Sequence, residues 1–241
     1  MAISSDFAGP RRPLWLVGWA GPLVVCLVFA VAGLFWAEIG VIPAKAYFGE
    51  DGLVEVASPI ILSGIVALYL VWMVRVGLTS FVPPVILVLM TWREFDGDKW
   101  FTAKSVLSSG FYFDNPGTSY GERILVAAIL TPLALMIIHL FWRQRFAIIH
   151  AVREFQPYCR SMIVAFAMLG ASLVLDGLPR KVFAISGFEL SHFESVLSGL
   201  VEETSEFAMA LAFLVALLQL RFDPRHNVLP GAGGETSADG F

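Results

Sequence analysis

Charge is sparse in this chain. Charged residues fill 15% of its 241 positions and hydrophobic ones 57%. A soluble domain carries about 25% charged and about 45–50% apolar residues. A chain with the present balance would expose too much apolar surface to remain in water. Cysteine is nearly absent. Cys26 and Cys159 form no CxxC pair and no disulfide framework. They read as a small hydrophobe and a surface thiol. Histidine is scarce too, with 4 residues. Only His139 lies inside an apolar run, so no haem is expected, since ligation inside a bundle needs paired membrane histidines. The formal net charge of −4 leaves no basic face for phosphates and excludes nucleic acid as a partner. The chain contains no HExxH, GxSxG or Walker loop, and no internal repeat.

Long hydrophobic runs are what the chain does have. About 20 apolar residues cross the hydrocarbon core as a helix. Six stretches qualify or nearly so, at about residues 14–36, 53–74, 81–96, 124–142, 162–178 and 202–220. The expected fold is therefore all-α, a polytopic membrane bundle of about six helices in the lipid bilayer. Residues 1–221 form one domain and residues 222–241, rich in Gly, Pro, Asp and Ser, a disordered cytoplasmic tail. Arg11 and Arg12 before the first run resemble the start of a signal peptide. The run is longer than a signal core, so it reads as an uncleaved helix. The loop from Trp100 to Glu122 reads as an ordered outer loop whose Phe111, Tyr112 and Phe113 suit the headgroup level.

Lysines and arginines in the loops set orientation. With the N-terminus inside, nine arginines, at 11, 12, 75, 143, 145, 153, 160, 221 and 225, crowd the inner ends of the runs, against seven lysines and arginines outside, at 45, 93, 99, 104, 123, 180 and 181. Both termini are then cytoplasmic in a bacterial-type inner membrane. The acids are more lopsided: fifteen of the 20 fall on the outer side. Acids contribute little to topology, so this asymmetry asks for another reason, and a site is one.

The candidate site builds from the ends of four runs. Glu194, Ser198, Glu202 and Glu206 recur every four residues and share one helical face. Like charges at that spacing repel. They need a cation, a basic partner or a proton. An exposed helix start, where acids suit the dipole, accounts for Glu202 and Glu203 but poorly for Glu206, a turn deeper. The third run has twelve residues, 81–92, about 18 Å of helix. That is too short to span, so the helix is expected to continue through Arg93, Glu94 and Asp96, with Arg93 pairing a carboxylate. A plain ion pair at a helix end is the competing reading. Glu55 begins the second run and Asp176 ends the fifth, followed by Arg180 and Lys181.

If those helices pack together, Glu55, Glu94, Asp96, Asp176, Glu202 and Glu206 converge, supported by Arg93, Glu203, His192 and Arg180. An all-oxygen set favours magnesium, calcium or manganese over zinc, and His192 is a lone candidate nitrogen ligand. The leading expectation is a site for a divalent cation or cationic group at the periplasmic leaflet. Metal-assisted hydrolysis or transfer on a lipid-like substrate is the matching enzyme class. The alternatives are an accessory or structural subunit of a larger membrane complex, in which the charges form ion pairs, and a cation transporter. The pair Glu202-Glu203 resembles that of CAAX-type intramembrane proteases. Their pattern continues with an arginine where this chain has Phe207, and with histidines on later helices that it lacks. No family is assigned on that pair.

Overall fold

A computed structural model describes residues 14–49, 52–76, 82–95 and 119–222, and every structural statement below concerns those. They form eight helices and no strand: α1 (Leu14–Ile39), α2 (Val41–Phe48), α3 (Leu53–Val76), α4 (Val82–Glu94), α5 (Tyr120–Arg153), α6 (Pro157–Leu175), α7 (Leu178–Ser186) and α8 (His192–Phe222). Helices are the expected outcome of such apolar runs, because hydrocarbon offers no partner for an unsatisfied peptide group.

Four stretches are long and apolar enough to cross a membrane: Gly18–Ile39, Val41–Arg75, Tyr120–Arg143 and Pro157–Leu175. The expected third run is a helix of 13 residues, about 20 Å long at 1.5 Å per residue. It stops at Glu94 rather than 96, and Asp96 lies outside the described residues. The fourth run is longer than expected, 34 residues in α5. The sixth run is the apolar part of a longer helix, as the acidic row from Glu194 implies: α8 starts at His192. Most of the 100–122 loop and the tail after 222 also lie outside the described residues.

α8 is the axis of the bundle. It packs most extensively on α6, then on α1 and α3, and near its start on α2. Small side chains permit this. Ala208, Ala210, Ala212 and Ala216 are buried, with Met209 and Phe213 between them. Small residues let membrane helices approach closely, where dispersion replaces the missing hydrophobic driving force. Leu62 and Ile65 of α3, Leu87 and Met90 of α4, Val25 of α1 and Ala165 of α6 complete the core. α1 and α6 approach so closely that a Cβ on Gly21 would lie 2.2 Å from the Ser161 hydroxyl oxygen and 2.8 Å from the Ser161 Cα.

Between Ile39 and Leu53 the chain makes a short extra helix. Gly40, at φ 86°, turns it, a conformation that glycine adopts without a Cβ penalty. Ala44 of α2 then packs against Val196 and Leu200 of α8, among Phe35, Trp36 and Phe48.

The helices run so that most of the acids gather at one end of the bundle. The starts of α3, α5 and α8 and the ends of α1, α4 and α6 form a carboxylate end. The opposite end carries Arg75, Arg153, Arg160 and Arg221.

Candidate functional site at the carboxylate end

Most hydroxyls in the core serve their own helix. Ser58, Thr204 and Ser205 donate to the carbonyls of Val54, Leu200 and Val201, one turn back. A hydroxyl engaged this way satisfies itself without a tertiary partner. Ser172 of α6 behaves differently. It is wholly buried, and its Oγ donates to Glu206 Oε1 of α8 at 2.5 Å.

The same oxygen accepts from Arg93 Nη2, in the last turn of α4, at 2.9 Å. Arg93 Nη1 reaches Glu94 Oε1 at 3.4 Å, and Nη2 lies 3.5 Å from Ser172 Oγ. Three helices therefore meet at one carboxylate oxygen. The charged side chains are largely withdrawn from solvent, with relative exposures of 26% for Arg93, 10% for Glu206 and 6% for Glu94. A charge in such a place is retained only when paired and hydrogen-bonded.

Further carboxylates surround this junction. Glu94 lies in electrostatic reach of Glu206 and Glu203. Glu202 feels Glu206, Asp176, Arg93 and Lys181. Asp176 caps the end of α6. Lys181 folds back from α7, and its Nζ donates to the carbonyls of Leu173 at 2.9 Å and Val174 at 3.4 Å. It thus satisfies the open carbonyls at the end of α6.

The structure brings together Glu94, Glu202, Glu203 and Glu206 with Arg93, and sets Asp176 beside them. Glu55 sits in the first turn of α3 at the same end. His192, the first residue of α8, is exposed and fourteen residues from Glu206, about 21 Å along the axis. Arg180 is also exposed and lies back against Gly177, the turn at the start of α7. Among the described residues, no group of three or more His, Cys, Asp or Glu side chains is arranged to hold a metal ion. The carboxylates gather about a guanidinium instead.

Glu194 belongs to a separate, exposed feature. It accepts from the Ser191 backbone N–H at 2.8 Å and hydroxyl at 2.7 Å, while its own N–H donates to Ser191 Oγ at 3.3 Å. This reciprocal capping box starts α8 and holds the Glu194 carboxyl below the usual carboxylate range. Ser119 and Glu122 form the same motif at the start of α5, with bonds of 2.9 and 3.2 Å.

Ser172 is not among the residues expected from the sequence. The spacing of Ser172 from Asp176, one helical turn, was the available signal.

No protein-family model, no curated protein and no solved structure matches this chain.

Proposed function

We propose that this chain is a six-span inner-membrane protein, both termini cytoplasmic, whose carboxylate end binds a cationic group, with Glu202 and Glu94 as the accepting carboxylates. One observation carries this reading. Arg93 holds Glu206 at 2.9 Å and Glu94 at 3.4 Å, Glu202 stands one helical turn before Glu206 on α8 with Glu203 next to it, and Asp176 ends α6 beside them. Acids outnumber bases, and Lys181 is already committed to the α6 carbonyls. A further positive group balances the surplus. An ammonium has three donors and no acceptor, which suits carboxylates and hydroxyls. A hard divalent ion is the competing occupant. The enzyme class to assay is hydrolysis or transfer on an amine-bearing lipid-like substrate.

The six-span count rests on α4 and α8 joining the four long apolar stretches. α4 is short, but Leu87 and Met90 put it in the same core. The orientation rests on the arginines at the opposite end. Transport along a continuous hydrated path has less support. Between the carboxylate junction and the other end, α8 is apolar from Phe207 to Leu218.

The test is the thermal unfolding of detergent-purified protein in EDTA, then with magnesium, calcium or manganese, and then with a short-chain phosphatidylethanolamine. A ligand at about 100 times its Kd that binds only the folded state adds about 2.7 kcal/mol. A rise with one of these, lost in Glu202→Gln, is expected. No rise with any of them refutes the site.

That outcome would favour the second reading, an accessory subunit of a larger complex. α5 is the observation in its favour. It touches chiefly α4 and α6, and only lightly, and Ile124, Leu125, Ile129, Leu135, Ile138 and Trp142 along it are exposed. A subunit co-purifying at fixed stoichiometry, released by polar substitutions on α5, would establish it.

A further inference from the structure

Polar side chains between the packed helices find partners across the bundle. Ser172 of α6 meets Glu206, and Ser161 Oγ donates to Gln219 Oε1 at 2.7 Å, tying α6 to α8 near the arginine end. His139 of α5 differs. It stands four residues before Arg143, inside the stretch Tyr120–Arg143 that is long and apolar enough to cross a membrane. It is exposed, and among the described residues no hydrogen bond or ion pair engages it.

Its direction follows from the helix. Val126, Leu130, Leu133 and Ile137 recur every three or four residues and are half-buried against the bundle. Ala128, Leu135, His139, Trp142 and Phe146 recur in the same way on the opposite face, and all are exposed. Apolar side chains that point outward from a membrane helix meet lipid at no cost. An imidazole does not, and ionisable groups within a span almost always face inward or pair.

The two rings on that face are held in place. The Arg145 guanidinium carbon stands 4.4 Å from the centre of the Trp142 ring and 4.3 Å from that of Phe146. Arg145 Nη1 also donates to the Trp142 carbonyl at 2.6 Å. Exposed rings that are fixed beforehand lose little freedom when something docks on them.

We propose that this face of α5 is the contact between two copies of the chain, with their His139 imidazoles paired across it. Copies of one chain cross a membrane in one orientation. A two-fold contact between them therefore runs α5 parallel to α5 and sets each residue against its own counterpart at equal depth. A neutral imidazole carries one donor and one acceptor. It is thus complementary to itself, and the ring N–H of one copy donates to the bare ring nitrogen of the other. α5 holds no acid between Glu122 and Glu154, so the contact forces no carboxylates together. Arg143 and Arg153 near their counterparts only toward the aqueous end, where salt screens them. The proposal rests on the membrane reading and not on the cation site, whose loss would leave it standing.

The test uses the full chain in membrane vesicles, with Cys26 and Cys159 replaced. Ala128→Cys, Leu135→Cys and Ile129→Cys are oxidised one at a time with copper phenanthroline. All three positions are exposed, but Ile129 lies about 100° round the helix from Ala128. Ala128→Cys and Leu135→Cys should yield a disulfide-linked dimer, and Ile129→Cys should stay monomeric. Native mass spectrometry of the detergent-purified chain should show the dimer as well. His139→Leu should raise its dissociation constant about three- to tenfold without lowering the melting temperature of the monomer. His139→Asn, which keeps a donor and an acceptor, should restore most of the affinity. A chain that is monomeric by both methods overturns the proposal. So does equal cross-linking at all three positions, the mark of random collision. A dimer indifferent to His139→Leu overturns the imidazole pairing. Absence of self-cross-linking, with a different protein held against α5, overturns the second copy in favour of the larger complex.

Discussion

Glu206 Oε1 accepts from the Arg93 guanidinium and the Ser172 hydroxyl at once, so its removal does not act on a ligand alone. Glu206→Ala leaves Arg93 largely buried with only the longer contacts to Glu94, at 3.4 Å, and Ser172, at 3.5 Å. Breaking one side of a buried pair costs about 3–5 kcal/mol. Arg93 keeps some contact with solvent, so about 2–3 kcal/mol is the fitting expectation here. Ser172→Ala removes one neutral donor and should cost about 1 kcal/mol. A double-mutant cycle on Arg93 and Glu206, followed by unfolding in mixed detergent, should return coupling comparable to the single loss at Glu206. Additive losses would show that the pair does not couple. For the same reason Glu202, not Glu206, is the residue at which cation binding is separable from folding. Glu206 and Arg93 were legible in the sequence because charges inside apolar runs stand out against their surroundings. Ser172 and Gln219 were not. A serine or glutamine costs little in a membrane helix, and only the packed structure says which carboxylate or hydroxyl it meets.

Helix contacts at the level of elements were less legible than helix existence. The runs identify α1, α3, α5 and α6, since hydrocarbon demands length and apolarity. They do not identify α2, whose eight residues include Pro43 and Lys45 and which forms because Ala44 fits against Val196 and Leu200. The capping boxes at Ser119 and Ser191 are written in the sequence as S-x-x-E; the second agrees with the helical row from Glu194, whereas the apolar run at 124 begins a turn after the first. Packing between α1 and α6 turns on one glycine. A methyl at Gly21 would collide with the Ser161 side chain and come within 2.8 Å of its Cα, whereas one at Gly33 meets nothing within 4 Å. Gly21→Ala should therefore push α1 off α6 and destabilise by about 1–3 kcal/mol, the usual cost of overpacking. Gly33→Ala should be neutral or stabilising by up to about 1 kcal/mol from helix propensity. Both are read from the same detergent melt. A Gly21→Ala protein as stable as the parent would mean that α1 and α6 do not approach this closely.

At the scale of the whole molecule, the helix bearing the densest row of acids is also the most enclosed. No periodicity announces that arrangement, because helix order in a bundle depends on contacts between distant parts of the chain. It follows once the costs are compared. Glu202, Glu203 and Glu206 cannot face lipid, so α8 takes the centre, where α4 supplies Arg93 and α6 supplies Ser172. α5 lies outermost, where its apolar side chains can face lipid without penalty. The same comparison separates the two ends by charge, and the proposed orientation follows from arginines favouring the cytoplasmic side. It is tested with single cysteines in a background where Cys26 and Cys159 are replaced by serine and alanine. Glu189→Cys lies in the exposed turn before α8, at the carboxylate end, and Glu154→Cys at the arginine end. In intact cells a membrane-impermeant maleimide should label the first and spare the second until the membrane is opened. The reverse pattern would turn the bundle over.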